Sequence, residues 1–192
     1  MTVKARTDST AQVTSDTELA DALADTKVDT IYLAHGSYEL STSIDRDLTI
    51  IGNGNVVINK GHKDNGLYVE GGANLTVRGV TFAPAAGESV TTGIAIASGY
   101  TGTITVEDCE FDNVRTGIYV EEAASIEIID CTFTNCKAGI SLSGITTSAT
   151  VSNDCVFTNN GEDIGLNRLT IATDATITYP TDAGWKVNEY GV

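Results

Sequence analysis

The chain has 192 residues, 41% of them hydrophobic, which is enough for one domain with a true core and argues against disorder. With 26 Asp and Glu against 11 Lys and Arg, the formal charge is −15, a field that repels nucleic acid and anionic lipid. No run approaches the roughly 20 apolar residues of a membrane span, and the opening MTVKARTDSTAQV carries no apolar signal core, so neither membrane insertion nor an export signal is read in these residues.

In chain order, the first predicted element is a helix in SDTELADALAD. Ser15 and Glu18 have the spacing of a capping box, and Leu19, Ala22 and Leu23 share one face. No other helical pattern follows residue 26. Beyond it the chain repeats itself. CEFDNVRTGIYV (109–120) returns 22 residues later as CTFTNCKAGISL and again, more loosely, as CVFTNNGEDIGL. A period of this length suits a solenoid in which each repeat is one coil stacked on the last.

Three strand classes line up as columns. One reads LTI (48–50), LTV (75–77), ITV (104–106), IEI (126–128), ATV (149–151) and LTI (169–171), with the middle residue outward. A second carries Phe82, Phe111, Phe133 and Phe157, flanked by Cys109, Cys131 and Cys155 and by Asn59, Asn113, Asn135 and Asn159. Cys, Phe and Asn at i, i+2 and i+4 are expected on one face. The third is GLYV (66–69), GIAI (93–96), GIYV (117–120), GISL (139–142), DIGL (163–166) and GWKV (184–187), whose leading Gly is expected to relax a tight corner. Strands recurring once per coil in one direction must pair in parallel, with like side chains stacked along the axis. The helix then lids the first coil. Trp185 is expected to plug the last layer, and 188–192 to form a tail.

These columns, the Asn ladder, the N-terminal helix and the phrase VDTIYLAHGSYEL…DLTIIGNGNVVI resemble the right-handed parallel β-helix proteins of the pectin-lyase-like superfamily, over about residues 12–187. The expected fold is therefore all-β: a right-handed parallel β-helix of about seven coils, three strands per coil, with a short N-terminal capping α-helix. The chain reads as one domain over 1–192, with strand and helix cap over about 12–27 and coils over 28–187. For polysaccharide-cleaving relatives the resemblance implies a groove along an outer sheet with a carboxylate cluster that binds calcium or performs acid–base work.

On this chain the corresponding outward column is Thr49, Thr76, Thr105, Glu127, Thr150 and Thr170, mostly threonine, as β-branched residues favour. The candidate metal ligands are Glu107, Asp108, Glu127 and Asp130, oxygen donors suited to calcium; no other cofactor is expected, and no catalytic residue is assigned. Four cysteines (Cys109, Cys131, Cys136 and Cys155) with no CxxC pair and no adjacent His read as buried thiols rather than a zinc site, although stacked neighbours stand within reach of oxidation.

Two insertions, KGHKDN (60–65) and PAAGESVTT (84–92), leave the same corner on neighbouring coils, the place a solenoid elaborates for binding. Near them His62, Asp64, Tyr68, Glu88, Arg115 and Tyr119 form the candidate ligand site, an aromatic and polar set suited to sugar. The sequence favours a non-catalytic module for display, adhesion or binding of a glycan or another protein, extracellular on a bacterial surface or on a phage particle. A polysaccharide lyase or glycoside hydrolase is the alternative. An open edge at 169–171 is expected to meet an adjoining domain or a second copy, tail to tail.

Overall fold

A computed structural model describes residues 9–72 and 74–191. Strand Thr10–Val13 opens the first face and the helix Asp16–Ala24 follows. Ser15 Oγ accepts from the Glu18 amide at 3.3 Å, and the Glu18 carboxylate reaches back to the Thr14 amide (2.7 Å) and hydroxyl (2.8 Å). This is a capping box displaced by one residue at its return bond. Leu19 and Ala22 are buried, so the helix does lid the first coil. Arg46 pins the far end of that lid. Its guanidinium donates to the carbonyls of Ala22 and Leu23, which the helix C-terminus leaves unpaired, and to those of Asp25 and Val28 just beyond it.

From Thr30 onward the backbone winds as a three-faced solenoid in which every strand pair is parallel. The first face begins with Thr10–Val13 and the leading halves of Thr30–Leu40 and Leu48–Gly61. It continues through Leu75–Arg78, Thr103–Glu107, Ala123–Ile129, Ile145–Val151 and Thr176–Thr178. The trailing halves of the two long strands start the second face, with Thr81–Phe82, Glu110–Asp112, Thr132–Thr134 and Val156–Thr158. Asn65–Val69, Thr92–Ile96, Thr116–Val120, Ala138–Leu142, Glu162–Asn167 and Val187–Tyr190 make the third. There are about eight turns, the N-terminal strand adding a rung ahead of the repeats.

Inside, like lies on like. The rings of Phe82, Phe111, Phe133 and Phe157 stack nearly parallel with centroids 5.0, 4.8 and 4.8 Å apart, and Trp185 closes the column edge-on at 62°. The glycines that lead the third-face strands serve this stack. Their backbone is not left-handed; a Cβ on Gly93 would lie 2.5 Å from Phe111 Cδ1, and one on Gly117 2.6 Å from Phe133 Cδ1. Space for the ring and for the carbonyl of the next rung, Gly117 O at 2.7 Å from Gly93 and Gly139 O at 2.5 Å from Gly117, is what demands glycine there, not corner flexibility. Asp163 holds the equivalent position on the rung after Gly139, where the next ring of the column, Trp185, stands edge-on rather than flat.

Three sequence expectations are corrected. Asn113, Asn135 and Asn159 do not share the face of Cys and Phe: each is exposed with φ of 54°, 56° and 56°, the left-handed conformation that turns the chain between the second and third faces. Their amides form an outer ladder, Asn159 Nδ2 donating to Asn135 Oδ1 at 2.7 Å and Asn135 Nδ2 to Asp112 Oδ1 at 3.2 Å. Next, LTI at 169–171 is not a rung. The turn after Asn167 leaves Leu169 79% exposed, and Thr176–Thr178 pairs with Ile145–Val151 instead, putting Thr178, not Thr170, next to Thr150. Last, Val187 rather than Trp185 pairs with Ile164, so residues 187–190 are a strand and not a tail. A partly buried network sets that register: Asp163 accepts from the Lys186 amide at 2.7 Å and from Asn160 Nδ2 at 3.1 Å, while Lys186 Nζ donates to the Asn160 carbonyl at 2.7 Å.

Phe111→Ala or Phe133→Ala should cost about 3–5 kcal/mol, because each removes a fully buried ring from a continuous stack. Thr105→Ala, on the outer column, should cost well under 1 kcal/mol by surface precedent. Urea unfolding of the three variants reads this; equal losses would contradict the assignment of inside and outside.

Candidate functional site

The third face carries an outward column in which Tyr68, Ala95, Tyr119, Ser141, Gly165 and Asn188 follow one another in register. Tyr68 and Tyr119 therefore stand two rungs, about 10 Å, apart at the usual interstrand spacing, with a small residue between them. Ala95 is only 6% exposed although it points outward, so the side chains around it close over it. Tyr119 is 37% exposed and Tyr68 half-buried.

The first insertion folds into a single 3-10 turn, His62–Asp64, with Lys63 and Asp64 at φ of 56° and 61°. Asn65, 7% exposed, holds it: the amide Nδ2 donates to the carbonyls of His62 (3.2 Å) and Lys63 (3.1 Å). The turn lays the His62 ring 5.6 Å from that of Tyr68, tilted by 59°, and sets Lys63 Nζ 3.8 Å over the Tyr68 ring. That cation–π contact orders both side chains. The second insertion is tied to the first through its backbone, Thr91 N donating to the Asp64 carbonyl at 2.9 Å.

Of the six candidate ligand residues, His62 and Tyr68 touch, and Tyr119 shares their column. Arg115 is exposed at the start of the strand bearing Tyr119, its amide bonded to the Val90 carbonyl at 3.3 Å. The side chains of Asp64 and Glu88 are exposed and make no hydrogen bond or ion pair to the others. Lys63 and Ala95 were missed. Lys63 sits inside the quoted KGHKDN, but its place over Tyr68 depends on the left-handed turn, which sequence spacing does not show.

The four candidate calcium ligands do not converge. Glu107 is engaged by Arg78, which faces it across the first-face ladder. Glu127 lies in the next outward column between Thr105 and Thr150. Asp108 and Asp130 occupy left-handed corners, φ 52° and 50°, on consecutive rungs. Among the described residues no group of three His, Cys, Asp or Glu is arranged to hold a metal ion. Those corners border a trough of about 400 Å³ that also includes Gly52, Gly79, Glu110 and Thr132. Glu110 there accepts from the Thr81 hydroxyl at 3.2 Å. The lining residues of the trough include three carboxylates, Asp108, Glu110 and Asp130, and no lysine, arginine or histidine.

All four cysteines are buried as free thiols. A hydrogen bond with Cys109, together with burial, holds the Cys131 thiol far above its ordinary range, and burial pushes Cys136 up to about 11. These are inert packing groups rather than nucleophiles.

With the geometry in place, comparison is decisive for the family. A profile described as right handed beta helix region matches residues 25–181, most of the chain. This is a right-handed β-helix protein. Comparison of the β-helix with curated proteins gives no match, and neither does comparison with solved structures. No described helix of the β-helix is long and apolar enough to cross a membrane.

The thiols yield a pH test. The unfolded Cys136 thiol titrates near 9.0 and the folded one near 11, so the fold favours the protonated form. Its contribution is full below about pH 9 and is lost as the pH rises through about 11. Melting temperature should therefore fall over that interval, and Cys136→Ala should flatten part of the fall; an unchanged slope would place this thiol in solvent.

Proposed function

We propose that this β-helix is a non-catalytic, surface-exposed binding module that takes carbohydrate across Tyr68 and Tyr119 and acts in display or adhesion outside the cell or on a phage particle. The observation that carries the reading is the outward column itself: two tyrosines in fixed register, a recessed alanine between them, and His62 and Lys63 closing one end. Aromatic rings present an apolar face with a polar rim, which matches the alternating C–H and O–H character of a sugar ring. A rigid sheet delivers that match without the entropy of ordering a loop. On the first face Glu107 is engaged by Arg78 and Glu127 stands among threonines, and the trough carboxylates Asp108, Glu110 and Asp130 have no lysine, arginine or histidine in their lining to orient a substrate, which weighs against the lyase or hydrolase reading.

The test is a polysaccharide panel read twice, for retention and for released chain ends. At least one polymer should be retained and none shortened, and Tyr68→Ala and Tyr119→Ala should each weaken retention roughly tenfold, equivalent to about 1.4 kcal/mol. Release of reducing or unsaturated ends that Glu107→Gln or Glu127→Gln abolishes would replace this reading with the enzymatic one.

A further inference from the structure

The chain contains three Asn-Gly steps, Asn53–Gly54, Asn65–Gly66 and Asn160–Gly161. In such a step no Cβ shields the glycine nitrogen from the asparagine Cγ, so each is a latent site of backbone chemistry unless the fold holds it still. The fold holds two of them. Asn65 is buried with its Nδ2 spent on the His62 and Lys63 carbonyls, and Gly66 packs so closely that a Cβ there would lie 2.5 Å from the Gly93 carbonyl oxygen. Asn160 is buried too, its Oδ1 accepting from Cys136 N and its Nδ2 donating to the Phe133 carbonyl and to Asp163. There the nitrogen that would have to attack, Gly161 N, is itself bonded to the Cys136 carbonyl at 3.0 Å.

The third step is held by none of these restraints. Asn53–Gly54 lies within strand Leu48–Gly61, at the corner where the first face turns into the second. Ala34 and Gly36 of the preceding coil pair with Asn53 and Val56, so Gly54 and Asn55 together stand against His35 alone and have no partner in the register. Residues 53–55 are all exposed, and among the described residues nothing hydrogen-bonds the Asn53 side chain. Gly54 has φ 95°, a conformation that side chains disfavour. Apart from its chain neighbours, a Cβ on it would meet only His35 Cβ, at 3.8 Å. The Asn53 amide and the Gly54 nitrogen are therefore free to turn toward each other, as the other two pairs are not.

We propose that Asn53 is a self-modification site, converting to isoaspartate and aspartate through a cyclic imide with water as the only co-reactant. Gly54 N attacks Asn53 Cγ, the new N–Cγ bond forms as the Cγ–Nδ2 bond breaks, and Nδ2 leaves as ammonia with the proton that Gly54 N gives up. Water then opens the ring. Addition at the main-chain carbonyl leaves Gly54 joined through Cγ, which is isoaspartate, and addition at Cγ restores the ordinary chain as aspartate; nothing is oxidised or reduced. Either product adds a negative charge beside the trough, whose lining already includes Gly54 and Asn55 with Asp108, Glu110 and Asp130. The extra backbone atom of isoaspartate enters where the ladder is already interrupted, so the paired residues on either side keep their register. The bend is on a different corner from Tyr68 and Tyr119, and the inference is independent of the carbohydrate reading.

Peptide mapping by mass spectrometry, on the folded chain aged in neutral buffer, reads all three steps at once. The Asn53 peptide should gain about 1 Da and resolve into isoaspartate and aspartate forms. It should do so roughly tenfold or more faster than the Asn65 and Asn160 peptides, which react only when the fold opens. In urea, where that protection is gone, the three rates should converge. Gly54→Ala should slow the reaction at residue 53 and leave the other two positions unchanged. Because a Cβ at this φ strains the bend, Asn53→Gln serves as a second variant: its longer side chain must close a larger ring, and position 53 should then show no mass gain on the same timescale. Asn53 still intact when Asn65 or Asn160 has reacted, or equal rates at the three positions in the folded chain, would overturn the inference. So would aspartate without isoaspartate, the mark of direct hydrolysis that never passes through the ring.

Discussion

Everything in this molecule depends on stacking each coil in one register upon the last, and the flat contact of phenylalanine rings is where that register is enforced. Parallel pairing alone tolerates slippage, since backbone groups are alike at every rung. Rings 4.8 to 5.0 Å apart and within 10° of parallel do not. A third-face glycine opens the space for each ring, so two columns on different faces form one unit. A slip would set a Cβ against an aromatic carbon. The same alignment holds Tyr68, Ala95 and Tyr119 in line on the outside, so the proposed site inherits its geometry from the core.

Much of this was legible because a solenoid writes its contacts into its period. Phe82, Phe111, Phe133 and Phe157 announce a column before any coordinate is known, and the capping box of Ser15 and Glu18 marks the lid. Legibility failed where the period breaks. LTI at 169–171 and ITY at 177–179 have the same apolar alternation, and only the turn after Asn167 decides which one enters the ladder. Trp185 drew the last strand two residues out of register because its ring belongs to the aromatic stack and not to the third-face column. Asn113 and its counterparts were misplaced for a related reason: i+4 spacing keeps one face only while the strand lasts, and these residues are already in the left-handed turn.

The candidate site was half legible. Insertion loops and outward tyrosines follow from repeat alignment, whereas Lys63 over Tyr68 follows from the left-handed turn and Asn65, which alignment cannot supply. The acidic group failed for the opposite reason. Stacking of adjacent coils was expected to bring Glu107, Asp108, Glu127 and Asp130 together at the end of one sheet, but the strands end at Glu107 and Ile129, so Asp108 and Asp130 belong to the left-handed corners and the two glutamates to the sheet. On so acidic a chain, proximity of carboxylates says little until a partner cation such as Arg78 is located.

A double-mutant cycle on Gly93 and Phe111 tests the central claim, that the glycine and phenylalanine columns are one device. The glycine's missing Cβ would stand 2.5 Å from the ring and 2.7 Å from the Gly117 carbonyl oxygen, so Gly93→Ala should destabilise the native chain and lose the ring's share of that cost once Phe111→Ala has removed it. The account predicts a coupling of about 1–3 kcal/mol from urea unfolding of the four proteins. Additivity within about 0.5 kcal/mol would contradict it, because the two columns would then be independent.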